Sequence, residues 1–179
     1  SLGLAEASTV ADVTSCPGAE SCRLAVTQSR GLGHLLEEHL RARPDLIAAA
    51  DGAHIKISGC PNGCGQHHIA TIGFQGSVRR LGGRAVPQYF VMVGGGTTTA
   101  GASFARTVAK IPARRIPDAL ERLIAFYQRE KEDGESATAF FQRLESARAT
   151  ALLRQQWDPR GSDDPRAKVW ADFISAGGS

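Results

Sequence analysis

Apolar positions along the chain follow two periods, and the switch between them predicts the order of elements. Val10–Thr14 is a short β-prone run. From about Glu20 to Arg43 the residues Leu24, Leu32, Leu35, Leu36 and Leu40 recur at roughly helical spacing, and Pro44 ends the stretch. Gly31 and Gly33 weaken its middle, as a helix packed closely on a neighbour would tolerate. Asp51-Gly52 signals a turn, and His54–Ser58 alternates as a strand does. Gln66-His67-His68 predicts a short helical turn, and Ile69–Phe74 a strand that stops before Gly76. Gln88–Val93 and Phe104–Ile111 predict two further strands. Pro117–Glu132 is amphipathic, with Leu120, Leu123, Ile124 and Tyr127 on one face. Gly134-Glu135-Ser136 breaks that helix, and Ala137–Leu153 predicts another. Strand, helix and strand, then more strands, then helices describe an α+β fold, a mixed β-sheet of about five strands with helices packed on one side. Residues 1–154 form the expected domain, and 155–179 an irregular tail with a small helix near Val169–Ile174 and Trp157 and Trp170 as surface anchors.

Composition narrows the functional classes. At 179 residues, 42% apolar and 22% charged, the chain has ordinary globular usage and room for a real core. Its formal net charge is only +3, and its basic residues are dispersed. The pairs Arg79-Arg80 and Arg114-Arg115 read as solvated surface, so no nucleic-acid partner is expected. No run of 18 apolar residues is present, so no membrane partner is expected either. Without an export signal at the start of the sequence, a reducing cytoplasmic location is the expectation, and with it free thiols.

The thiols carry the chemistry. All four cysteines lie in two motifs, Cys16-Pro-Gly-Ala-Glu-Ser-Cys22 and Cys60-Pro-Asn-Gly-Cys64, with 37 residues between the pairs. Four thiolates select zinc, copper(I) or an iron–sulfur cluster. Zinc ligand pairs are usually two to four residues apart, which the second motif fits loosely and the five-residue gap between Cys16 and Cys22 does not. A cubane tolerates unequal spacing because its iron corners lie farther apart than the ligands of one ion. Spacing alone leaves cluster, zinc and disulfides open. Gly18, Gly59, Gly63 and Gly65 are placed to let backbone amides approach cluster sulfurs.

The flanking residues go further. Thr14-Ser15-Cys16-Pro17-Gly18-Ala19-Glu20-Ser21-Cys22 and Lys56-Ile57-Ser58-Gly59-Cys60-Pro61-Asn62-Gly63-Cys64-Gly65, followed by Ile69-Ala70-Thr71-Ile72-Gly73-Phe74-Gln75-Gly76, resemble the sirohaem and iron–sulfur signature of the nitrite/sulfite reductase family over roughly residues 10 to 145. The resemblance implies a 4Fe-4S cluster on Cys16, Cys22, Cys60 and Cys64, with Cys64 also bridging to the iron of sirohaem. It implies reduction of nitrite or sulfite, with electrons from a donor such as ferredoxin. Enzymes of that family are longer and built of two related halves, the first supplying most of the Arg and Lys that bind the anion. This chain resembles the C-terminal half, so the N-terminal half is an expected partner.

Other residues stay open to two readings. His67-His68 reads as a pair that packs or hydrogen-bonds near a cofactor edge, or as a ligand or proton donor. Gln66 carries the same ambiguity. Asn62 reads as a turn residue that tolerates left-handed geometry, with a cofactor contact second. Lys56 points away from Ile55 and Ile57, either into solvent or toward cofactor acids. Gly94-Gly95-Gly96-Thr97 lacks the Gly-Lys-Ser/Thr ending of a phosphate loop. Two alternatives to the reductase stand beside it: a cobalamin-pathway monooxygenase resembling precorrin-3B synthase, which keeps a cluster without sirohaem, and a non-enzymatic zinc module built on the four cysteines.

Overall fold

The computed structural model describes residues 9–154 except 51, 82–83 and 99–100. Strand β1 (Thr14–Ser15) opens the sheet and leads into a 3-10 turn at Gly18–Glu20. Helices α1 (Ser29–Arg41) and α2 (Pro44–Ala49) follow, then β2 (Ile55–Ser58) and a 3-10 turn at His67–Ile69. Next come the long strands β3 (Ile72–Leu81) and β4 (Arg84–Val93), the short β5 (Gly96–Thr98) and β6 (Gly101–Ser103), and β7 (Arg106–Pro112). Helices α3 (Ile116–Glu130), α4 (Ala137–Arg143) and α5 (Ser146–Arg154) complete the described chain.

The main sheet has the order β1-β2-β3-β4-β7. β1, β2 and β3 run parallel, while β3–β4 and β4–β7 are antiparallel. The expected mixed five-strand sheet of an α+β fold is therefore present. Side chains on one face, Ile55, Ile57, Ile72, Phe74, Tyr89, Val91 and Val93, are all at most 1% exposed. Alternation along each strand sends these residues to the core and their neighbours to the opposite face. α3 buries Leu120, Leu123, Ile124 and Tyr127 as its periodicity predicts, and adds Ile116, Ala119 and Phe126. Phe126, Tyr127, Phe140 and Phe141 form an aromatic cluster with ring centroids 5.3–6.2 Å apart.

Several elements differ from expectation for local reasons. The helix begins at Ser29, not near Glu20, because the amides of Val26 and Thr27 both bond to the carbonyl of Gly59 instead of to a preceding helical turn. Leu24 consequently lies outside any helix and is 70% exposed. Pro44 begins α2 at its first turn, where a missing N–H costs nothing. β3 continues through Gly76, where a Cβ would collide with Thr27 Oγ1 and the Gly59 carbonyl, so glycine here marks close approach rather than a strand end. The expected helix over Ala137–Leu153 is divided into α4 and α5. Arg106 of β7 donates to the carbonyls of Phe141, Gln142 and Leu144, satisfying the end of α4 from outside. The tail, with Trp157, Trp170 and the expected helix at Val169–Ile174, lies outside the described residues.

The two glycines of α1 separate cleanly. A Cβ at Gly33 would stand 3.3 Å from Ser15 Oγ, so this glycine seats the helix on β1. At Gly31, which is exposed, the nearest atom would be a comfortable 3.6 Å away on the Gln28 side chain. Gly31→Ala should therefore stabilise the fold by about 0.5–1 kcal/mol, and Gly33→Ala by clearly less, both read from urea unfolding. Gly73→Ala would drive a methyl into the His67 carbonyl, and the same measurement should show a loss of about 1–3 kcal/mol.

Candidate metal centre

Both cysteine motifs leave the carboxyl ends of adjacent parallel strands. Ser15 of β1 pairs with Ile57 of β2, and the amide of Cys16 extends that ladder to the Ile57 carbonyl at 3.0 Å. Cys60 follows two residues after β2 ends, with only Gly59 between. Crevices at such strand ends are where parallel sheets bind their ligands.

Gly59 joins the two loops. Its N–H donates to Cys16 Sγ at 3.2 Å. Its carbonyl accepts from the amides of Val26 (2.9 Å) and Thr27 (3.2 Å) and from Thr27 Oγ1 (3.3 Å). A Cβ on Gly59 would lie 2.8 Å from the Thr27 carbonyl and 3.1 Å from Gly18 Cα. The first loop is thus packed directly against the start of the second.

Cys16 is buried, and Ser29 Oγ lies 3.1 Å from its sulfur while donating to the Cys16 carbonyl at 2.8 Å. Burial acts to raise this thiol. The hydrogen bonds from Ser29 and from the backbone around Gly59 and Gly18 outweigh it and hold the thiol below its ordinary value. The site therefore favours the thiolate, the form that binds metal. Cys60 is buried, Cys22 half-buried and Cys64 exposed, and all four thiols are free. Tyr89, 1% exposed on β4, hydrogen-bonds Thr27 beneath this loop; burial pushes its phenol up, and Cys16 nearby adds to the rise. Ser29, Thr27 and Tyr89 are the residues that sequence reading missed. Nothing in the cysteine spacing marks them, because they reach the site from α1, the segment before it, and β4.

The second loop is held by its own bonds. The Gly65 amide donates to Ser58 Oγ at 3.0 Å and not to a cysteine sulfur, whereas the backbone of Gly59 and of Gly18 meets that of Cys16. The left-handed residues of this turn are Gly63 (φ 74°) and Gln66 (φ 58°), not Asn62, which is simply exposed. Lys56 Nζ donates to Gln66 Oε1 at 3.0 Å, which settles the lysine on the loop that carries Cys64.

His67 and His68 flank this loop, as both readings of the pair require. A Cβ on Gly63 would lie 3.3 Å from the His68 ring and 3.9 Å from that of His67. His68 lies against Phe104 at 5.7 Å, and Phe104 is 70% exposed. His67 is 3% exposed, hydrogen-bonds Gln75, and leaves Nδ1 buried without a partner. Gly94-Gly95-Gly96 is structural: a Cβ on Gly95 would lie 2.6 Å from the Ala70 carbonyl, and Gly96 opens a hairpin with β6.

Among the described residues no three His, Cys, Asp or Glu side chains converge on one point as the ligands of a single ion. A cubane does not require that convergence, since each thiolate takes its own iron corner. Four free thiols on touching loops, one biased to thiolate, make a donor set that fits such a group, and the orphaned imidazole nitrogen belongs to a ring against the second loop.

Burial, and secondarily His68, holds the His67 ring below the ordinary histidine range, against the opposing bond with Gln75. The unfolded chain therefore takes up a proton that the folded chain refuses as pH falls below about 6.5. Stability contributed by neutral His67 is complete above that pH and is lost toward the lower folded value. Urea unfolding of the metal-free chain between pH 5 and 7.5 should show this loss in the wild type and a flatter profile in His67→Gln.

Comparison with known proteins completes the picture. The chain is 28% identical over 128 residues to a sulfite reductase [ferredoxin] of Mycobacterium tuberculosis, covering 69% of this chain and 23% of that one. It is 27% identical over 110 residues to the ferredoxin–nitrite reductase of Synechococcus elongatus, covering 62% and 21%. The solved structure of the Mycobacterium tuberculosis NirA protein superposes with a TM-score of 0.67 at 26% identity, over 77% of this chain and 26% of that chain. This chain thus spans under a third of the length of these relatives. Residues 6–158 match the profile described as the nitrite and sulphite reductase 4Fe-4S domain, and the chain belongs to that family.

Proposed function

We propose that this chain is the cluster-carrying C-terminal part of a sirohaem-dependent nitrite or sulfite reductase, with Cys16, Cys22, Cys60 and Cys64 as the cluster ligands. One observation carries the reading: two cysteine motifs from distant parts of the chain meet at the ends of adjacent parallel strands, locked by the Gly59 hydrogen bonds. When bound, the cluster and sirohaem supply electrons one at a time to the anion.

The residues divide the work by exposure. Cys16 and Cys60 are the buried anchors, and Cys64 is the exposed thiol able to serve two metal centres at once. Asn62 and Gln66 beside Cys64 are the proposed contacts to the edge of sirohaem, a reading supported by their exposure and by the Lys56 bond to Gln66. Phe104 and Leu24, each 70% exposed, and Val26 at 47% supply apolar surface near the two loops for a large flat group. The substrate-binding Arg and Lys come from an N-terminal half, consistent with the fraction of the relatives that this chain spans. A ferredoxin-type donor and a small anion, sulfite or nitrite, complete the set of partners. Residues 1–154 form the functional domain and 155–179 an appended tail. No helix among the described residues is long and apolar enough to cross a membrane.

Anaerobic reconstitution tests the assignment. The chain should take up about four iron and four sulfide, with broad visible absorbance, and single replacement of Cys16, Cys22, Cys60 or Cys64 by Ala should lower iron retention several-fold. An iron isobacteriochlorin recovered from protein co-produced with the N-terminal half would support the reductase. A cluster without that pigment would favour the cobalamin-pathway monooxygenase. Stoichiometric zinc with no cluster uptake would overturn both.

A further inference from the structure

We propose that Ser29 acts as a hydroxyl switch on Cys16, turning its O–H from the Cys16 carbonyl to hydrogen-bond the cysteine sulfur as the cluster gains an electron and so raising the cluster's reduction potential. This rests on the cluster reading above and assigns a role to a residue outside both cysteine motifs. Ser29 is fully buried at the first position of α1. Its oxygen lies 2.8 Å from the Cys16 carbonyl and 3.1 Å from Cys16 Sγ. The other donors to that sulfur, the Gly59 amide at 3.2 Å and the backbone at Gly18, are fixed in the main chain. Ser29 is therefore the donor on Cys16 that can rotate.

The switch needs the thiolate, the form that iron ligation fixes. In the free thiol, the Cys16 S–H can donate to Ser29 Oγ while the Ser29 O–H donates to the Cys16 carbonyl, so each proton has one acceptor. Ligation to iron removes the S–H. One serine proton then faces two acceptors, a carbonyl oxygen and a thiolate sulfur. Reduction adds negative charge to the cluster and its thiolates, and hydrogen bonds to charged acceptors strengthen with that charge. The hydroxyl gains more by turning to sulfur in the reduced state than in the oxidised one. A donor that binds the reduced state better makes the potential more positive. Burial of Ser29 keeps water from substituting for the lost bond.

The test uses the full chain after anaerobic reconstitution, comparing wild type, Ser29→Ala and Ser29→Thr. Midpoint potentials come from spectroelectrochemical titration, and hydrogen bonding to sulfur from the shift of the Fe–S(Cys) stretching bands between H2O and D2O. Ser29→Ala should move the midpoint to more negative potential and shrink the D2O-induced band shift, and Ser29→Thr, which keeps the hydroxyl, should restore both toward wild type. A midpoint that does not move, or one that moves while the D2O shift stays at the wild-type size, overturns the switch and leaves the cluster assignment intact. Failure of the wild-type chain to assemble a cluster removes both. The wild-type D2O shift is itself a measurement without mutation: its absence shows that no exchangeable proton sits on the sulfur and overturns the proposal.

Discussion

One glycine joins the two halves of the site. Gly59 gives its N–H to Cys16 Sγ and takes three hydrogen bonds on its carbonyl from Val26 and Thr27, while its own lack of a side chain lets Gly18 approach and that of Gly76 makes room for its carbonyl. A buried backbone carbonyl must find donors, and here those donors belong to the loop that carries the other cysteine pair. The polar requirements of the peptide and the geometric requirements of the thiols are met by the same contact. The late start of α1 follows from it, because Val26 and Thr27 direct their amides to Gly59 and not to a helical turn.

This contact also explains which features were legible beforehand. The strands β2, β4 and β7 and the helix α3 carry enough periodic apolar positions to be read with small errors at the ends, since burial on one face leaves a direct trace in the sequence. The cysteine motifs were legible for a different reason, because clustered thiols flanked by proline and glycine serve few purposes other than metal binding. Three kinds of information were not legible. Leu24 and Leu35 fit the helical stripe by spacing but are 70% and 44% exposed, since a side chain's period says nothing about whether a partner surface exists. Gly76 looked like a stop and is a point of close approach. Ser29, Thr27 and Tyr89 reach the site only through pairing between distant segments, and no local pattern records such pairing.

Burial divides the ligand candidates into two classes. Cys16 and Cys60 are both buried, and Cys16 is hydrogen-bonded to Ser29 and Gly59. Cys64 lies on an open surface with His68 and Phe104 close to its loop. The four thiols thus divide into a buried inner pair and a more accessible outer pair. His67, whose Nδ1 has no partner, is buried against the loop that carries Cys64.

The pairing of β1 with β2 carries a consequence for assembly. Cys16 and Cys60 are 44 positions apart in sequence, and closing a loop of that length costs about 3 kcal/mol of chain entropy. Strand pairing and core burial offset that cost. The contact that closes the sheet edge is therefore also the one that brings the two cysteine-bearing segments side by side.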